Sequence, residues 1–244
     1  MKSSLHVFTI LLVLLALFSS CEKDATVIPK VSSTPIPGTG TGGGSGTGGG
    51  TGTGGGTTPP PVSSTDYQPL TTGTTWRYQN IQEGKTDTST LTITGRTKII
   101  DAKTFFEIIE KTGAVLDTSY YYKGNNIYIS NTQNYADGIG TEFIYLHDGE
   151  AVGYTWSGQA VASNPLVTGT YTGKILEKDI SKTILGKVYT SVIHTQIVMT
   201  ITVFGIPGTV TNDMYVAKGI GIIQADINDG NDIITAKIID YTIK

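Results

Sequence analysis

The sequence predicts an all-β protein, built as a single antiparallel sheet curled into a barrel, half-barrel or sandwich. From residue 66 onward, short runs of β-branched and aromatic residues alternate with Gly, Asn and Asp, which supply turns. No window of this region has apolar residues at helical spacing for more than two turns. Many strands at short intervals are typical of antiparallel sheets that curl or pack on themselves.

The chain begins with a segment that is typical of exported proteins. Lys2 precedes the apolar run Val7–Phe18, and two serines then lead into Cys21. The run is about a dozen residues long, whereas a membrane-spanning helix needs roughly 20. A cationic start, an apolar middle and a small-residue end indicate a cleaved signal peptide, which we assign to residues 1–20.

The residues before Cys21 resemble the lipobox of bacterial lipoproteins. In that family the cysteine sulfur receives a diacylglycerol, the signal is cut before the cysteine, and the new amino terminus is usually acylated, for example with palmitate. The usual pattern has Leu three residues before the cysteine, whereas here Phe18 holds that position and Leu17 lies one residue earlier. The resemblance implies lipidation of Cys21, so that the membrane is a partner through this anchor. An ordinary signal peptide with an incidental cysteine is the alternative.

The tripeptide Glu22-Lys23-Asp24 resembles the acidic sequence that follows the cysteine in many surface-displayed lipoproteins of Bacteroidota-type bacteria. The resemblance implies a protein anchored in the outer membrane and exposed on the cell surface. An orientation toward the periplasm is the second choice.

A low-complexity linker separates the anchor from the folded part. Thr34–Pro61 is almost wholly Gly, Thr, Ser and Pro, so it offers no apolar groups to offset the entropy of ordering. We therefore predict that residues 21–65 form a lipidated N-terminus and disordered tether, followed by a β domain over residues 66–244. About 44 residues of flexible chain span roughly 35–40 Å on average.

The strands of the domain are predicted in order from alternation and turn residues. An opening strand contains Trp76, Tyr78 and Ile81, and a turn at Asn125-Asn126 supplies the positive backbone angles of a tight hairpin. The further predicted strands are Thr90–Ile100, Thr104–Lys111, the two halves of Ser119–Ser130, Phe143–Leu146, Val152–Trp156, Tyr171–Ile180, Lys187–Val203, Val210–Val216, Ile220–Ile227 and Ile233–Ile243. We expect Gly205–Gly208 to form a turn.

Two stretches resemble a recurring domain of bacterial lipoproteins. Tyr67–Tyr78 is similar to an opening strand with the pattern Pro-Leu, Gly, Trp-x-Tyr, and Tyr215–Ile223 is similar to a Tyr-Ala-Lys-Gly-Val-Gly-Leu-Val hairpin, with Val216 as an extra residue. These patterns occur in TapB-like and related domains of unknown function, whose curved sheet is similar to that of lipoprotein-localisation carriers. The resemblance implies the fold and carries over no catalytic residues. A plain physical interpretation makes Trp76 a core anchor and Gly219 a tight bend.

Composition excludes several classes of function. The formal net charge of the chain is only −3 at pH 7, which gives no electrostatic footprint for nucleic acid. With Cys21 acylated, no cysteine is left for a disulfide or a thiolate site. We therefore expect no nucleic-acid partner and no cofactor.

No residue pattern indicates catalysis or a resident metal. His147-Asp148-Gly149-Glu150 is more simply a hairpin turn than an acid/base or metal cluster, and His194 lies inside a long strand and is expected to be structural. Asp226–Asp232 departs from an EF-hand loop because Gly230 falls at position 5 and Lys237 at position 12. A hairpin turn is favoured there, with a surface calcium site as the alternative. We expect the protein not to be an enzyme, and to have no catalytic and no metal-ligating residues.

Aromatic residues give the only functional hint. Tyr120, Tyr122, Tyr128 and Trp156 are the candidates for a stacking surface that binds sugars or an apolar ligand. Tyrosine also suits half-buried sheet faces, so plain packing is the alternative. We expect a non-enzymatic binding or structural module displayed on a tether, with an envelope protein or glycan as partner. The alternative is a carrier or sensor that encloses an apolar ligand against Ile197, Met199 and Ile201.

Overall fold

The computed structural model describes residues 65–132, 141–162, 167–203 and 205–244, without the side chains of residues 161 and 162. The predicted all-β class is confirmed, since the described residues form strands, turns and bends and no helix. Within these residues nothing forms a helix long and apolar enough to span a bilayer. Residues 1–64, which include Cys21, the proposed signal and the proposed tether, lie outside the described part.

The described residues form thirteen strands. They are β1 (Thr75–Gln82), β2 (Lys85–Ile100), β3 (Lys103–Thr112), β4 (Val115–Gly124), β5 (Ile127–Asn131), β6 (Thr141–His147), β7 (Thr155–Gln159), β8 (Val161–Ala162), β9 (Val167–Ile184), β10 (Lys187–Val203), β11 (Ile206–Ala217), β12 (Gly221–Asn228) and β13 (Ile233–Thr242).

All thirteen strands belong to one antiparallel sheet that is nearly closed into a barrel. The order across the sheet is β7-β9-β10-β11-β12-β13-β1-β2-β3-β4-β5-β6-β8. The two strands at its ends, β7 and β8, are consecutive in the chain and separated only by Ala160. Residues 155–162 therefore form one extended segment that pairs with β9 along β7 and with β6 along β8. The sheet closes through this change of partner.

The two ends of the barrel carry different turns. Because every strand pair is antiparallel, successive turns lie at opposite ends. We call the end where the described chain enters, ahead of β1, the tether end. It carries the connections at 101–102, 125–126, 148–154, 185–186 and 218–220. The opposite end, which we call the far end, carries those at 83–84, 113–114 and 229–232.

Two clusters of buried side chains fill the inside of the curved sheet. The first cluster contains Tyr67, Tyr128, Tyr145, Leu146, Trp156, Ala160, Tyr171, Ile175, Ile193, Ile197, Met199, Met214 and Val216. The second cluster contains Leu70, Trp76, Tyr78, Ile93, Ile108, Ile184, Tyr189, Val192, Ala217, Ile220, Ile223 and Ile238. Partly buried Tyr121 packs against both clusters and so joins them. Burial of these side chains is the main source of stability of the fold.

The two stretches that resemble the lipoprotein domain contact each other. Trp76 Nε1 donates a hydrogen bond of 2.5 Å to the carbonyl of Ile220, and Tyr78 Oη donates one of 2.6 Å to the carbonyl of Ile222. Gly221 has a φ of +114°, and a Cβ there would lie 3.2 Å from Trp76 Nε1. The glycine therefore lets the backbone approach the indole, as the interpretation of Trp76 as a core anchor implies.

Residues 66–70, which we call the entry segment, cross the tether end before β1. Tyr67 and Leu70 are each 5% exposed and belong to the first and second core clusters, respectively. The Tyr67 N–H donates to Tyr128 Oη, and Asp66 forms an ion pair with Lys123. The chain is thus fixed within the core as soon as it reaches the domain.

The β9–β10 hairpin bends sharply near its tip. Asp179 and Ser191 have φ values of +57° and +52°, and the strand register shifts beside them. Residues 180–190, which we call the arm, place Ile184 in the second core cluster. At the tip, Lys187 Nζ donates to the carbonyl of Ile239 at 2.7 Å. The arm therefore folds against the body of the barrel.

Three local predictions were wrong. Val152–Trp156 is not a strand, because residues 152 and 153 form a turn and β7 begins at Thr155. The turn predicted over Gly205–Gly208 is shorter, since β11 already begins at Ile206. His147–Glu150 leads into a turn but not into a hairpin, because β6 pairs with β5 and β8 while β7 pairs with β9. Each error concerns a boundary or a pairing that the local sequence does not determine.

Candidate functional site

The barrel closes along a seam between β6 and the β7–β9 pair, and side chains complete that closure. Backbone pairing at the seam is limited to β8 with the start of β6. Farther along, the Ile144 N–H donates to Tyr171 Oη at 3.1 Å, and Trp156 Nε1 donates to the Ile144 carbonyl at 3.1 Å. Thr195 Oγ1 donates to the Tyr145 carbonyl at 2.9 Å. These bonds satisfy edge groups of β6 that would otherwise be left unpaired in the core.

Two glycines make room for the aromatic rings at the seam. Trp156 lies opposite Gly173 and Tyr171 opposite Gly158 in the antiparallel register of β7 and β9. A Cβ on Gly173 would lie 2.1 Å from Trp156 Cε2, and a Cβ on Gly158 would lie 2.7 Å from Tyr171 Cζ. Each ring therefore covers the glycine on the partner strand. This arrangement also shields the backbone of that strand from solvent.

A groove of about 210 Å³ lies beside the seam. Its walls come from β3, β4, β5 and β6 on one side and from β7 and β9 on the other. The residues that line it are Lys103, Tyr122, Gly124, Asn125, Ile127, Ile129, Glu142, Phe143, Ile144, Gln159 and Tyr171. Apolar and aromatic side chains with a few polar groups are the usual composition of a ligand site.

Tyr122 is held in the groove by its neighbours. A Cβ on Gly124 would lie 2.2 Å from Tyr122 Oη, so the phenol extends along β4 over this glycine. On the other side the ring packs against Phe105, with centroids 5.5 Å apart. Glu142 accepts a 2.6 Å hydrogen bond from Asn131 Nδ2, which orients its carboxylate. The groove thus offers a positioned aromatic ring and a positioned acceptor.

The structure places the four candidate aromatic residues in different surroundings. Tyr122 lines the groove. Tyr120 lies two residues earlier on β4, with Lys98 Nζ 5.3 Å from its ring centroid. Tyr128 is 3% exposed and donates to Asp148 Oδ2, and Trp156 is 8% exposed at the seam. The four do not form one surface.

The other groove residues were not found from the sequence. Phe143, Gln159 and Tyr171 come from three strands that meet only when the barrel closes. Their types carry no signal, because aromatic and amide residues also occur throughout the remaining strands. Gly158, two residues after Trp156, and Gly173, two residues after Tyr171, are the local signs of the aromatic–glycine pairs across these two strands.

His147 packs with two aromatic rings at the tether end of the seam. Its ring centroid lies 4.8 Å from that of Trp156 and 5.3 Å from that of Tyr154. Nε2 is buried without a hydrogen-bond partner among the described residues. Burial lowers the pKa of His147, and the nearby Glu150 and Asp148 oppose this shift only in part. The imidazole is therefore a neutral packing group in neutral solution.

This environment predicts a loss of stability in mild acid. Because the native pKa of His147 lies below its ordinary value of 6.5, the native state binds fewer protons than the unfolded state. Stability therefore falls as the pH drops below about 6.5 toward the native pKa. Urea unfolding at pH 7.5 and pH 5.5 should show a smaller loss for His147→Gln than for the parent protein. Equal losses in both proteins would contradict this origin.

His194 lies in a polar network on neighbouring strands. Nδ1 is 3.0 Å from Glu177 Oε2, Nε2 is 3.1 Å from Asp213 Oδ1, and the ring stacks on Tyr215 with centroids 4.1 Å apart. The register brings these residues together, since His194 pairs with both Glu177 and Tyr215. The network connects β9, β10 and β11, which supports the structural interpretation of His194.

The loop between β12 and β13 is organised as a turn. Asp229 Oδ1 accepts hydrogen bonds from the backbone N–H groups of Asn231 and Asp232, at 2.9 and 2.8 Å. This is the local bonding that Asp favours in turns. Within the described residues, His, Cys, Asp and Glu side chains form no group of three that could hold a metal ion.

Comparison with known proteins gives a likeness of fold. No family model and no curated protein matches the chain. Among solved structures, the chain is similar to a predicted lipoprotein of Parabacteroides distasonis, with a TM-score of 0.50 and 9% identity over 74% of this chain and 100% of that one. It is also similar to a predicted exported protein of Bacteroides fragilis with a YmcC-like fold, with a TM-score of 0.43 and 8% identity over 71% of this chain and 97% of that one. The first likeness agrees with the lipoprotein domain expected from the sequence, while no family model supports the TapB-like label.

Proposed function

We propose that this chain is a lipid-anchored envelope protein whose β domain is a non-enzymatic module that binds an envelope glycan. The groove beside the seam carries this proposal. It combines Tyr122 and Phe143 with the polar groups of Glu142 and Gln159. A sugar ring presents an apolar face to an aromatic side chain and hydroxyl groups to polar ones, so its chemistry matches this lining.

The volume of the groove limits the size of the ligand that it can enclose. Sites that enclose a drug-sized ligand measure roughly 300–1,000 Å³, whereas this groove measures about 210 Å³. A single ring, such as one unit of a longer glycan, is of suitable size, and a whole acyl chain is not. The ligand would therefore extend out of the groove, as expected for capture of part of a large molecule.

Binding should depend on Tyr122 and not on its neighbour Tyr120. We expect Tyr122→Ala to weaken glycan binding about tenfold, because an aromatic contact contributes roughly 0.5–1.5 kcal/mol beyond buried area. Calorimetric titration of the full chain in detergent, with a panel of neutral, N-acetylated and acidic disaccharides, measures this effect. Tyr120→Ala is the matched control, on the same strand but outside the groove. Equal affinities of the parent and Tyr122→Ala proteins would contradict the proposal.

The carrier function is the second candidate, and the near closure of the barrel favours it. However, Ile197 and Met199 belong to the first core cluster and Ile201 packs against it, so the residues offered as a cavity lining already contact core side chains. Native mass spectrometry of the protein purified from its parent cell distinguishes the two functions by the mass of any bound ligand. A co-purifying lipid mass that organic extraction removes would favour the carrier, and a bare protein mass would favour glycan capture.

A hydrolase function ranks last. Nucleophilic catalysis requires a nucleophile within hydrogen-bond reach of its base, and His147 Nε2 has no such partner in the described part of the chain. The rings of Tyr154 and Trp156 flank the imidazole instead. We therefore assign no catalytic residue.

We further propose that Cys21 anchors the protein in the outer membrane and that the tether displays the domain on the cell surface. The lipobox-like sequence and the acidic residues after Cys21 support this location. Protease treatment and antibody labelling of intact cells provide the test. Protection from both would place the domain on the periplasmic side.

A further inference from the structure

The groove lies where two strands of the sheet separate. Backbone pairing between β6 and β8 ends at Glu142. Beyond that point, the backbone of Ile144 bonds the side chains of Tyr171 and Trp156 instead of another strand across the seam. Gln159 lines the groove from β7, while Glu142 and Ile144 line it from β6. Two of its walls are therefore the edges of diverging strands.

The backbone of Gln159 points away from the strand that it pairs with. In the ladder of β7 and β9, the Ala160 N–H donates to the Gly169 carbonyl, so these two residues form a hydrogen-bonded pair. The preceding pair, Gln159 with Thr170, is then of the alternate kind, whose N–H and C=O groups face outward. β7 is the last strand in the sheet order, and among the described residues no strand pairs with its other side. The Gln159 backbone thus offers an acceptor and a donor to the groove.

Tyr171 supplies a hydrogen-bond donor at the β6 wall. Its Oη accepts the 3.1 Å bond from the Ile144 N–H, which fixes the phenol against that strand. Because the oxygen serves as the acceptor in this bond, the hydroxyl hydrogen is left to donate to another group. Burial raises the pKa of Tyr171, so the hydroxyl keeps its proton in neutral solution. The groove therefore has the Gln159 carbonyl on the β7 wall and a phenol donor at the β6 wall.

An amide group matches these two walls. The N–H and C=O of a trans amide point in opposite directions, so one amide between the walls can donate to Gln159 and accept from Tyr171. A methyl group beside it would contact Phe143 and Ile144, which are only partly buried against the core. The acetamido group of an N-acetylhexosamine combines such an amide with a methyl group. A hydroxyl group at the same position of the sugar has neither the second polar atom nor the methyl.

We propose that the groove selects N-acetylhexosamine units, and that the acetamido group binds between the Gln159 backbone and the Tyr171 hydroxyl. This inference rests on the proposed glycan-binding function and names the class of sugar that the site takes. Tyr122 contacts the face of any sugar ring and contributes affinity, whereas the acetamido contacts determine the choice between sugars. A site built for hydrogen bonds rejects an analogue that lacks the bonding group, because the polar atoms of the site are then left unpaired.

Two disaccharides that differ only in this substituent test the inference. N,N′-diacetylchitobiose and cellobiose share their linkage and ring stereochemistry, with acetamido groups in the first where the second has hydroxyl groups. Calorimetric titration of the full chain, in a detergent without a sugar headgroup, measures both dissociation constants. We expect the parent protein to bind diacetylchitobiose about tenfold more tightly than cellobiose. This comparison uses the unsubstituted protein, so it does not depend on the folding of a variant.

Tyr171→Phe separates selectivity from affinity. The substitution removes the hydroxyl and keeps the ring, so the preference for diacetylchitobiose should fall about fivefold while the affinity for cellobiose stays the same. Tyr122→Ala should instead weaken the binding of both disaccharides by one factor and leave their ratio unchanged. Tyr154→Phe removes a phenol hydroxyl outside the groove and is the matched control, which should change neither affinity. Circular dichroism checks that each variant is folded.

The outcomes distinguish this inference from the function on which it rests. Equal affinity of the parent protein for the two disaccharides would overturn the inference and leave glycan binding in place. Tighter binding of deacetylated chitobiose than of diacetylchitobiose would also overturn it, because attraction of an amine to Glu142 would then determine the choice. An unchanged ratio in folded Tyr171→Phe would contradict the assignment of the donor. Failure of every disaccharide to bind would overturn both proposals.

Discussion

We expect the Trp76→Ala variant to lose about 4 kcal/mol of unfolding free energy, since truncation of a buried Trp costs roughly 3–5 kcal/mol. Trp76 is 1% exposed in the second core cluster, and its indole N–H bonds the carbonyl of Ile220, 144 residues later in the chain. The substitution creates a cavity and leaves that carbonyl without its partner. Urea unfolding followed by circular dichroism measures the loss.

Trp76→Phe separates the two contributions. The phenyl ring fills most of the space but cannot donate a hydrogen bond, so the loss should be smaller and should reflect mainly the unpaired carbonyl of Ile220. A buried acceptor without a partner costs roughly 1–3 kcal/mol. A loss below about 2 kcal/mol for Trp76→Ala would show that Trp76 does not anchor the core.

The second large effect is expected at Gly173, where even one methyl group has no room. A Cβ would lie 2.1 Å from the Trp156 ring, so Gly173→Ala must displace the indole and break its bond to Ile144. Overpacking of this kind costs roughly 1–3 kcal/mol, and the lost seam contact adds to it. We expect a total of about 3 kcal/mol, measured as the change in the urea midpoint at constant slope.

A double-mutant cycle identifies the cause. In a Trp156→Ala background the methyl group of Gly173→Ala has space, so the second substitution should change stability by less than about 1 kcal/mol. The two effects should therefore be strongly non-additive, as for residues in direct contact. Additive losses would show that the backbone of Gly173, and not the ring above it, causes the sensitivity.

Local patterns in the sequence predicted much of the fold. β10 was predicted with its observed bounds, Lys187–Val203, largely from the alternation of side chains between its two faces over Ile197–Val203. The turn at Asn125 and Asn126 was predicted because both residues tolerate positive φ, which the structure shows as +53° and +60°. The structure confirms these features because they depend only on neighbouring residues.

Features that depend on closure of the barrel were not predicted. The two-residue strand β8 exists only because it meets the edge of β6, and nothing in Val161-Ala162 indicates it. The groove similarly joins Tyr122 to Gln159 and Tyr171 from the other side of the seam. The sequence made Tyr122 a candidate binding residue but could not show which strands lie beside it.

The entry segment also determines how the domain bears mechanical load. A pull on the predicted tether would reach the barrel through residues 66–70, where Tyr67 and Leu70 are buried in the two core clusters. The next element, β1, lies between β13 and β2 and bonds both of them. A force transmitted along β1 would therefore shear two ladders at once, instead of opening them one bond at a time. A domain that carries the predicted anchor would resist being unravelled from that end.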